Sequence, residues 1–137
     1  MARILLVDDE QDVLDTLGPL LTSQGHEVVP IRESPRAVEL LQTSPAFDLL
    51  VTDIRMAPID GLKLMAMAGR TCPAMDVVVV SAYLDRETIR KAKGLGCTAC
   101  IRKPYEIHEL LESIERVLEA RAKKSTPPAG DEGGWVV

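Results

Sequence analysis

Short runs of consecutive apolar residues recur along the chain. They are separated by stretches in which apolar residues return every three or four positions. The runs are Ile4–Val7, Val28–Ile31, Leu49–Val51, Val77–Val80 and a weaker Cys97–Ile101. Continuous rather than alternating apolar character suits a strand covered on both faces, as in a parallel sheet. From Gln11 to Ser23, the residues Val13, Leu14, Leu17, Leu20 and Leu21 share one helical face. From Ile107 to Ala122, Ile107, Leu110, Leu111, Ile114, Val117 and Leu118 form a second such stripe. Shorter helices are expected at Pro35–Leu41, Leu62–Gly69 and Arg86–Lys93, with Ser34 as N-cap and Pro35 at the first helical position of the earliest. Gly18-Pro19 lies inside the first helix and is expected to kink it.

Alternation of this kind predicts an α/β fold: (βα)5, a doubly wound parallel five-stranded sheet with helices on both faces. In such sheets the loops at the carboxyl ends of the strands carry the site.

Composition narrows the picture. A length of 137 residues fits one domain, and a hydrophobic fraction of 46% excludes wholesale disorder. Aromatic residues make up only 3%, so aliphatic side chains must build the core and a base-stacking surface is not expected. A net charge of -5 argues against direct nucleic-acid contact. No stretch reaches the roughly 18 apolar residues of a membrane span. Three cysteines (Cys72, Cys97, Cys100) fit a reducing cytoplasm better than a disulfide framework. After Ala122 the Pro/Gly-rich stretch to Val137 reads as a linker or tail, giving a domain over 1–122 and a linker over 123–137.

The strand ends hold the candidate chemistry. The first run ends in Asp8-Asp9-Glu10, the third in Thr52-Asp53, the fourth in Ser81-Ala82 and the fifth in Arg102-Lys103-Pro104. On one sheet edge these would bring carboxylates, a hydroxyl and an ammonium into a small pocket. Clustered carboxylates repel, and a hard divalent cation such as Mg2+ relieves that. A carboxylate beside the cation can attack phosphorus, with metal and lysine neutralising the phosphoryl oxygens.

Leu6-Val7-Asp8-Asp9-Glu10, Asp53 with Asp60-Gly61 beyond it, Ser81-Ala82 and Lys103-Pro104 together resemble the receiver domain of two-component response regulators over about residues 2–121. The resemblance implies a flavodoxin-like sheet of strand order 2-1-3-4-5 and a domain that is phosphorylated by a histidine kinase or histidine phosphotransfer protein. It implies that Asp53 is the phosphoacceptor and that Asp8, Asp9, Asp53 and the backbone carbonyl of Arg55 hold Mg2+. It further implies that Lys103 pairs with Asp53 and then with the phosphate, that Ser81 reaches the phosphoryl group, that small Ala82 leaves its path open, and that Pro104 follows a cis bond. Arg55 and Tyr83 would flank the phosphate. The fourth helix, fifth strand and fifth helix, with Lys91, Lys93, Arg102 and Glu109, would form a docking or homodimer face. Such a domain catalyses only its own phosphorylation and dephosphorylation.

Two positions depart from the family pattern. Ala57 stands where a proline is usual, with Pro58 following. Cys100 stands where the switch aromatic is usual, which bears on switching and not on phosphorylation. Three other readings stay open. A phosphatase of the haloacid dehalogenase type needs an acid two residues after its nucleophile, and Arg55 is there. The others are a phosphorylation-independent binding module and a receiver fragment of a larger multidomain regulator.

Several motifs carry bland readings. Cys97-Thr-Ala-Cys100 is formally C-x-x-C, but residues three apart on a strand point to opposite faces, so two separate buried thiols are expected. Gly94-Leu-Gly96-Cys-Thr-Ala99 precedes a strand and reads as a helix-ending turn. His26 reads as a turn residue and His108 as solvated. Met56, Met65, Met67 and Met75 read as core gap-fillers.

Overall fold

The computed structural model describes residues 1–43 and 46–122; the expected linker over 123–137 lies outside them. Among the described residues ten elements alternate: β1 (Arg3–Val7), α1 (Gln11–Ser23), β2 (Glu27–Ile31), α2 (Ser34–Thr43), β3 (Leu49–Thr52), α3 (Gly61–Thr71), β4 (Asp76–Ser81), α4 (Arg86–Gly94), β5 (Ala99–Arg102) and α5 (Ile107–Ala122). All strand pairs are parallel, and the sheet order is β2-β1-β3-β4-β5.

The continuous apolar runs divide between two cores. Leu5, Val7, Leu50, Val77, Val79 and Cys100 face one layer with Ala37, Leu41, Leu64, Met65 and Ala92. Their neighbours Ile4, Leu6, Leu49, Val51, Val78, Val80 and Ile101 face the other, against Leu14, Leu17 and Leu21 of α1 and Leu110, Ile114 and Val117 of α5. Period-two alternation along a strand thus needs apolar residues at every position. Each fully buried Leu or Ile contributes about 1.5–3 kcal/mol relative to exposure.

β2 departs from this rule. It is an edge that pairs only with β1, and its residues are half-buried or exposed. Its Pro30 lacks an N–H to donate, which an edge strand tolerates.

Helix boundaries extend beyond the periodic residues by one or two positions in α2, α3 and α4. α1 continues through Pro19 as one element, with Thr22 Oγ1 donating to the Gly18 carbonyl at 2.9 Å. Ser34 is not the cap of α2. The Glu33 carbonyl accepts from Arg36 and Ala37, so Ser34 is already inside the helix. Its buried hydroxyl accepts instead from the N–H of Ile59, at 3.2 Å.

Two bland readings also change. Met56, Met65 and Met75 are core residues, whereas Met67 is 38% exposed on the outer face of α3. His108 is solvated as expected. His26 is no loose turn residue, because its side chain is only 7% exposed. Nδ1 accepts from the N–H of Ala2 at 3.1 Å, and Nε2 meets Glu115 Oε1 at 2.8 Å. Since Nδ1 accepts, Nε2 carries the proton and donates. The ring therefore ties the start of β1 to α5. Replacing His26 by alanine leaves both partners unmatched and is expected to destabilise the fold by about 1–3 kcal/mol. The check is a lower urea midpoint at unchanged slope.

Candidate functional site

The parallel sheet places the carboxyl ends of β1, β3, β4 and β5 on one edge, and all the expected side chains stand there. Asp8 and Asp53 directly follow β1 and β3. Register pairs Val7 with Thr52, so the two aspartates leave adjacent strands side by side. The Asp53 N–H donates to the Val7 carbonyl at 3.1 Å, which locks the two strand ends together. Both side chains are almost enclosed, at 2% and 8% exposure.

Lys103 joins them from the end of β5. Its Nζ donates to Asp8 Oδ2 at 2.8 Å, to Asp53 Oδ2 at 3.0 Å and to Glu10 Oε1 at 3.0 Å. Burial opposes the charge on Lys103. Hydrogen bonds to Asp8, Asp53 and Glu10 outweigh it and hold the ammonium well above the ordinary lysine value. Burial raises the Asp8 carboxyl above its ordinary value, against the pull of Lys103 and the Glu10 N–H.

The remaining oxygens are held by backbone. Asp8 Oδ1 accepts from the Glu10 N–H at 2.9 Å, and Asp53 Oδ1 accepts from the Ile54 N–H at 2.6 Å. The buried Thr52 hydroxyl donates to the Asp53 carbonyl at 2.9 Å.

Asp60 and Gly61 act through the loop after β3. Asp60 caps α3 by accepting from the Lys63 N–H at 2.8 Å. Gly61 donates to the Ile54 carbonyl at 2.7 Å. A Cβ on Gly61 would sit 2.0 Å from the Asp53 carbonyl oxygen, so only glycine allows this approach. Ala57-Pro58 and Lys103-Pro104 are both cis, the second as the resemblance implied.

Four carboxylates (Asp8, Asp9, Glu10 and Asp53) offer oxygens that all lie within 4.8 Å of one another. Hard oxygen donors suit Mg2+ in kind, and that ion needs only one or two of these carboxylates. Asp9 and Glu10 are exposed, on the open side where waters or phosphoryl oxygens would complete the shell of a bound ion.

Ser81 ends β4, fully buried, and its hydroxyl accepts from the Tyr83 N–H at 3.1 Å. The Arg55 guanidinium lies 3.7 Å from the Tyr83 ring centroid, in a cation–π stack spanning the β3–α3 and β4–α4 loops. Arg102 donates to the Leu84 carbonyl at 2.6 Å and so ties β5 to the same β4–α4 loop.

Sequence reasoning did not foresee the partners of four residues around the site. Glu10 stands at the N-cap position of α1 but makes no side-chain cap; its carboxylate goes to Lys103. Thr52 and Ser34 are buried hydroxyls that hold the Asp53 loop. Arg32 donates to the Asp9 carbonyl at 3.1 Å. Each is a polar residue beside a motif, the one signal that could have singled them out.

The profile of the response regulator receiver domain matches residues 4–115, and the chain belongs to that family of two-component signalling proteins. It is 34% identical over 119 residues to the chemotaxis protein CheY of Treponema pallidum, covering 85% of this chain and 83% of that protein. It is 32% identical over 131 residues to the transcriptional regulatory protein GlrR of Escherichia coli K12, spanning 96% of this chain but only 28% of that relative's length. A CheY-like receiver domain from Methanospirillum hungatei superposes with a TM-score of 0.86 at 28% identity, over 91% of this chain and 99% of that one. Receiver domains work with kinases and phosphotransfer partners, and bind Mg2+ in an acidic pocket. Among the described residues no helix is long and apolar enough to cross a membrane.

Proposed function

We propose that the chain takes a phosphoryl group on Asp53 from a histidine kinase or histidine phosphotransfer protein and thereby changes its partner-binding surface. The observation that carries this reading is the Asp53 carboxylate. It is nearly buried, with one oxygen held by the Ile54 N–H and the other by Lys103, itself shared with Asp8. Asp8, Asp9, Asp53 and the Arg55 backbone carbonyl are the Mg2+ ligands in this reading. When bound, Mg2+ supplies positive charge against the phosphoryl oxygens. The Asp53 oxygen forms the new bond to phosphorus as the donor's N–P bond breaks. Lys103 then follows the negative charge from carboxylate to phosphoryl oxygen. Ser81 turns its O–H to the phosphoryl group and pulls on the β4–α4 loop through Tyr83. The Arg55–Tyr83 stack shields the aspartyl phosphate from water. With Cys100 buried in place of an aromatic, the change runs through that loop and Arg102 rather than through an aromatic at β5.

The domain turns over no separate substrate, works in the cytoplasm, and offers α4, β5 and α5 as a docking or homodimer face without nucleic-acid contact. The receiver unit is 1–122 with a linker over 123–137. A second reading, a receiver fragment of a larger regulator, is favoured by the 28% of GlrR that the chain spans.

The test is intact mass after incubation with a small-molecule phosphodonor. One phosphoryl group is expected, dependent on Mg2+ and lost in Asp53→Asn. No addition with either a small donor or a kinase overturns the reading.

A pH dependence follows from Asp8. Its carboxyl is raised above 3.8 in the folded state, so protons compete for it at higher pH than for a free aspartate. Mg2+ affinity by calorimetry is therefore expected to weaken on acidification from above the ordinary aspartate range, and this part of the dependence disappears in Asp8→Asn.

A further inference from the structure

The C-x-x-C pair is chemistry that the phosphoacceptor site leaves unused. Contrary to the strand-alternation expectation, Cys97 and Cys100 do not point apart: their sulfurs lie 3.7 Å from each other. The physical reason is that β5 begins only at Ala99. Cys97 belongs to the turn after Gly96, whose φ of +94° reverses the chain at the end of α4. That turn folds Cys97 over the face of β5 that carries Cys100, and both join one core with Val77, Val79 and Ala92. They are 5% and 0% exposed. The third cysteine, Cys72, is engaged elsewhere, its thiol donating to the Leu41 carbonyl.

The two thiols differ. Cys97 lies 3.0 Å from the Ala99 carbonyl and 3.6 Å from that of Val77. Its hydrogen bond with Cys100, together with burial, pushes the Cys97 thiol well above its ordinary value. The same bond holds the Cys100 thiol below its ordinary value against burial, helped by the charge of Arg102. Two thiols in contact, one of which loses its proton more readily than the other, supply the nucleophile and the resolving partner of disulfide chemistry.

We propose that Cys97 and Cys100 form a modification site, a dithiol that closes to an intramolecular disulfide under peroxide. The Cys100 thiolate attacks one oxygen of hydrogen peroxide. The O–O bond breaks, hydroxide leaves, and Cys100 becomes a sulfenic acid. The Cys97 sulfur then attacks the Cys100 sulfur, the S–O bond breaks, and the oxygen leaves as water with the Cys97 proton. In sum two thiols are oxidised, one peroxide is reduced and two waters form. The sulfurs close from 3.7 Å to about 2.05 Å. The structure allows this movement, because Cys97 sits in a turn and β5 is an edge strand paired only with β4. Peroxide reaches the pair by local opening of that edge.

The test treats the reduced full chain with hydrogen peroxide, quenches it in denaturant with a thiol label, and digests it with trypsin. Cleavage after Lys93 and Arg102 isolates both cysteines in one peptide, Gly94–Arg102, away from Cys72. The expected result is loss of two hydrogens from that peptide, with Cys72 the one thiol still labelled. Cys72→Ser is expected to leave this outcome unchanged, and Cys97→Ala to abolish it. Peptide mapping of the wild type decides the matter even if a cysteine variant fails to fold. Full labelling of all three cysteines, a bridge to Cys72, or only linkage between chains overturns the proposal.

Discussion

Gly61→Ala is expected to destabilise the domain by about 3 kcal/mol or more, a large fraction of the roughly 5–15 kcal/mol that holds a domain folded. The reason is local and steric. The new Cβ would lie 2.0 Å from the Asp53 carbonyl oxygen and 2.8 Å from the Ile54 Cα, both backbone atoms that cannot rotate away. Relief requires moving the start of α3 or the loop that carries Asp53. The second option also shifts the acceptor carboxylate, so the surviving folded fraction should phosphorylate more slowly. Gly69→Ala is the internal control. It lies within α3, nothing stands within 4 Å of where its new methyl group would sit, and alanine is the better helix former. That variant is expected to gain up to about 1 kcal/mol. Urea denaturation of the two variants should therefore move the midpoint in opposite directions. Equal midpoints would show that the close approach to Asp53 has no energetic weight.

Lys103→Met is expected to lose phosphorylation and, at neutral pH, about 3 kcal/mol of stability. Asp8 and Asp53 would face each other without a counter-charge in a nearly closed space, at 2% and 8% exposure. The loss sits at the low end of the buried range because the Glu10 side of the cluster is open, at 61% exposure. The sign with pH is fixed. Without the ammonium, the buried Asp8 carboxyl, already raised by burial, binds protons more readily in the folded state than in the unfolded chain. Acidification then stabilises the variant relative to wild type, and the deficit shrinks as pH falls. Mg2+ should shrink it too, since a cation at the same carboxylates replaces the missing charge. Thermal melts at two pH values, with and without Mg2+, read both trends. A deficit that ignores pH and metal would mean that Lys103 acts only by packing.

The fold was legible because both faces of a parallel sheet demand apolar residues, and β1, β3 and β4 supply them without interruption. β2 shows the same pattern in sequence but is a half-exposed edge. Its sequence, Glu27-Val-Val-Pro-Ile31, holds the explanation in Pro30, which no central strand would carry. Asp8, Asp53, Ser81 and Lys103 were legible because each directly follows or ends a strand. Glu10, Ser34 and Thr52 were not, because local rules assign such residues to capping or to the strand itself. Their actual partners, Lys103, Ile59 and the Asp53 carbonyl, depend on loops meeting across the sheet edge. The cysteine pair escapes local rules for a similar reason. Period-two geometry does not hold across Cys97 and Thr98, which precede the first strand residue, Ala99.

The spacing of the Lys103 ion pairs also bears on synthesis. Lys103 lies 95 residues after Asp8 and 50 after Asp53. During translation the two acidic loops leave the ribosome well before the one ammonium that joins them. A nascent chain stopped before β5 can pair β2, β1, β3 and β4, yet it brings Asp8 and Asp53 together with no lysine between them. The same repulsion that Lys103 relieves once β5 is in place therefore opposes premature closure of a partial sheet. Strand β5 delivers an edge and a charge at once, which ties completion of the acidic pocket to completion of the sheet.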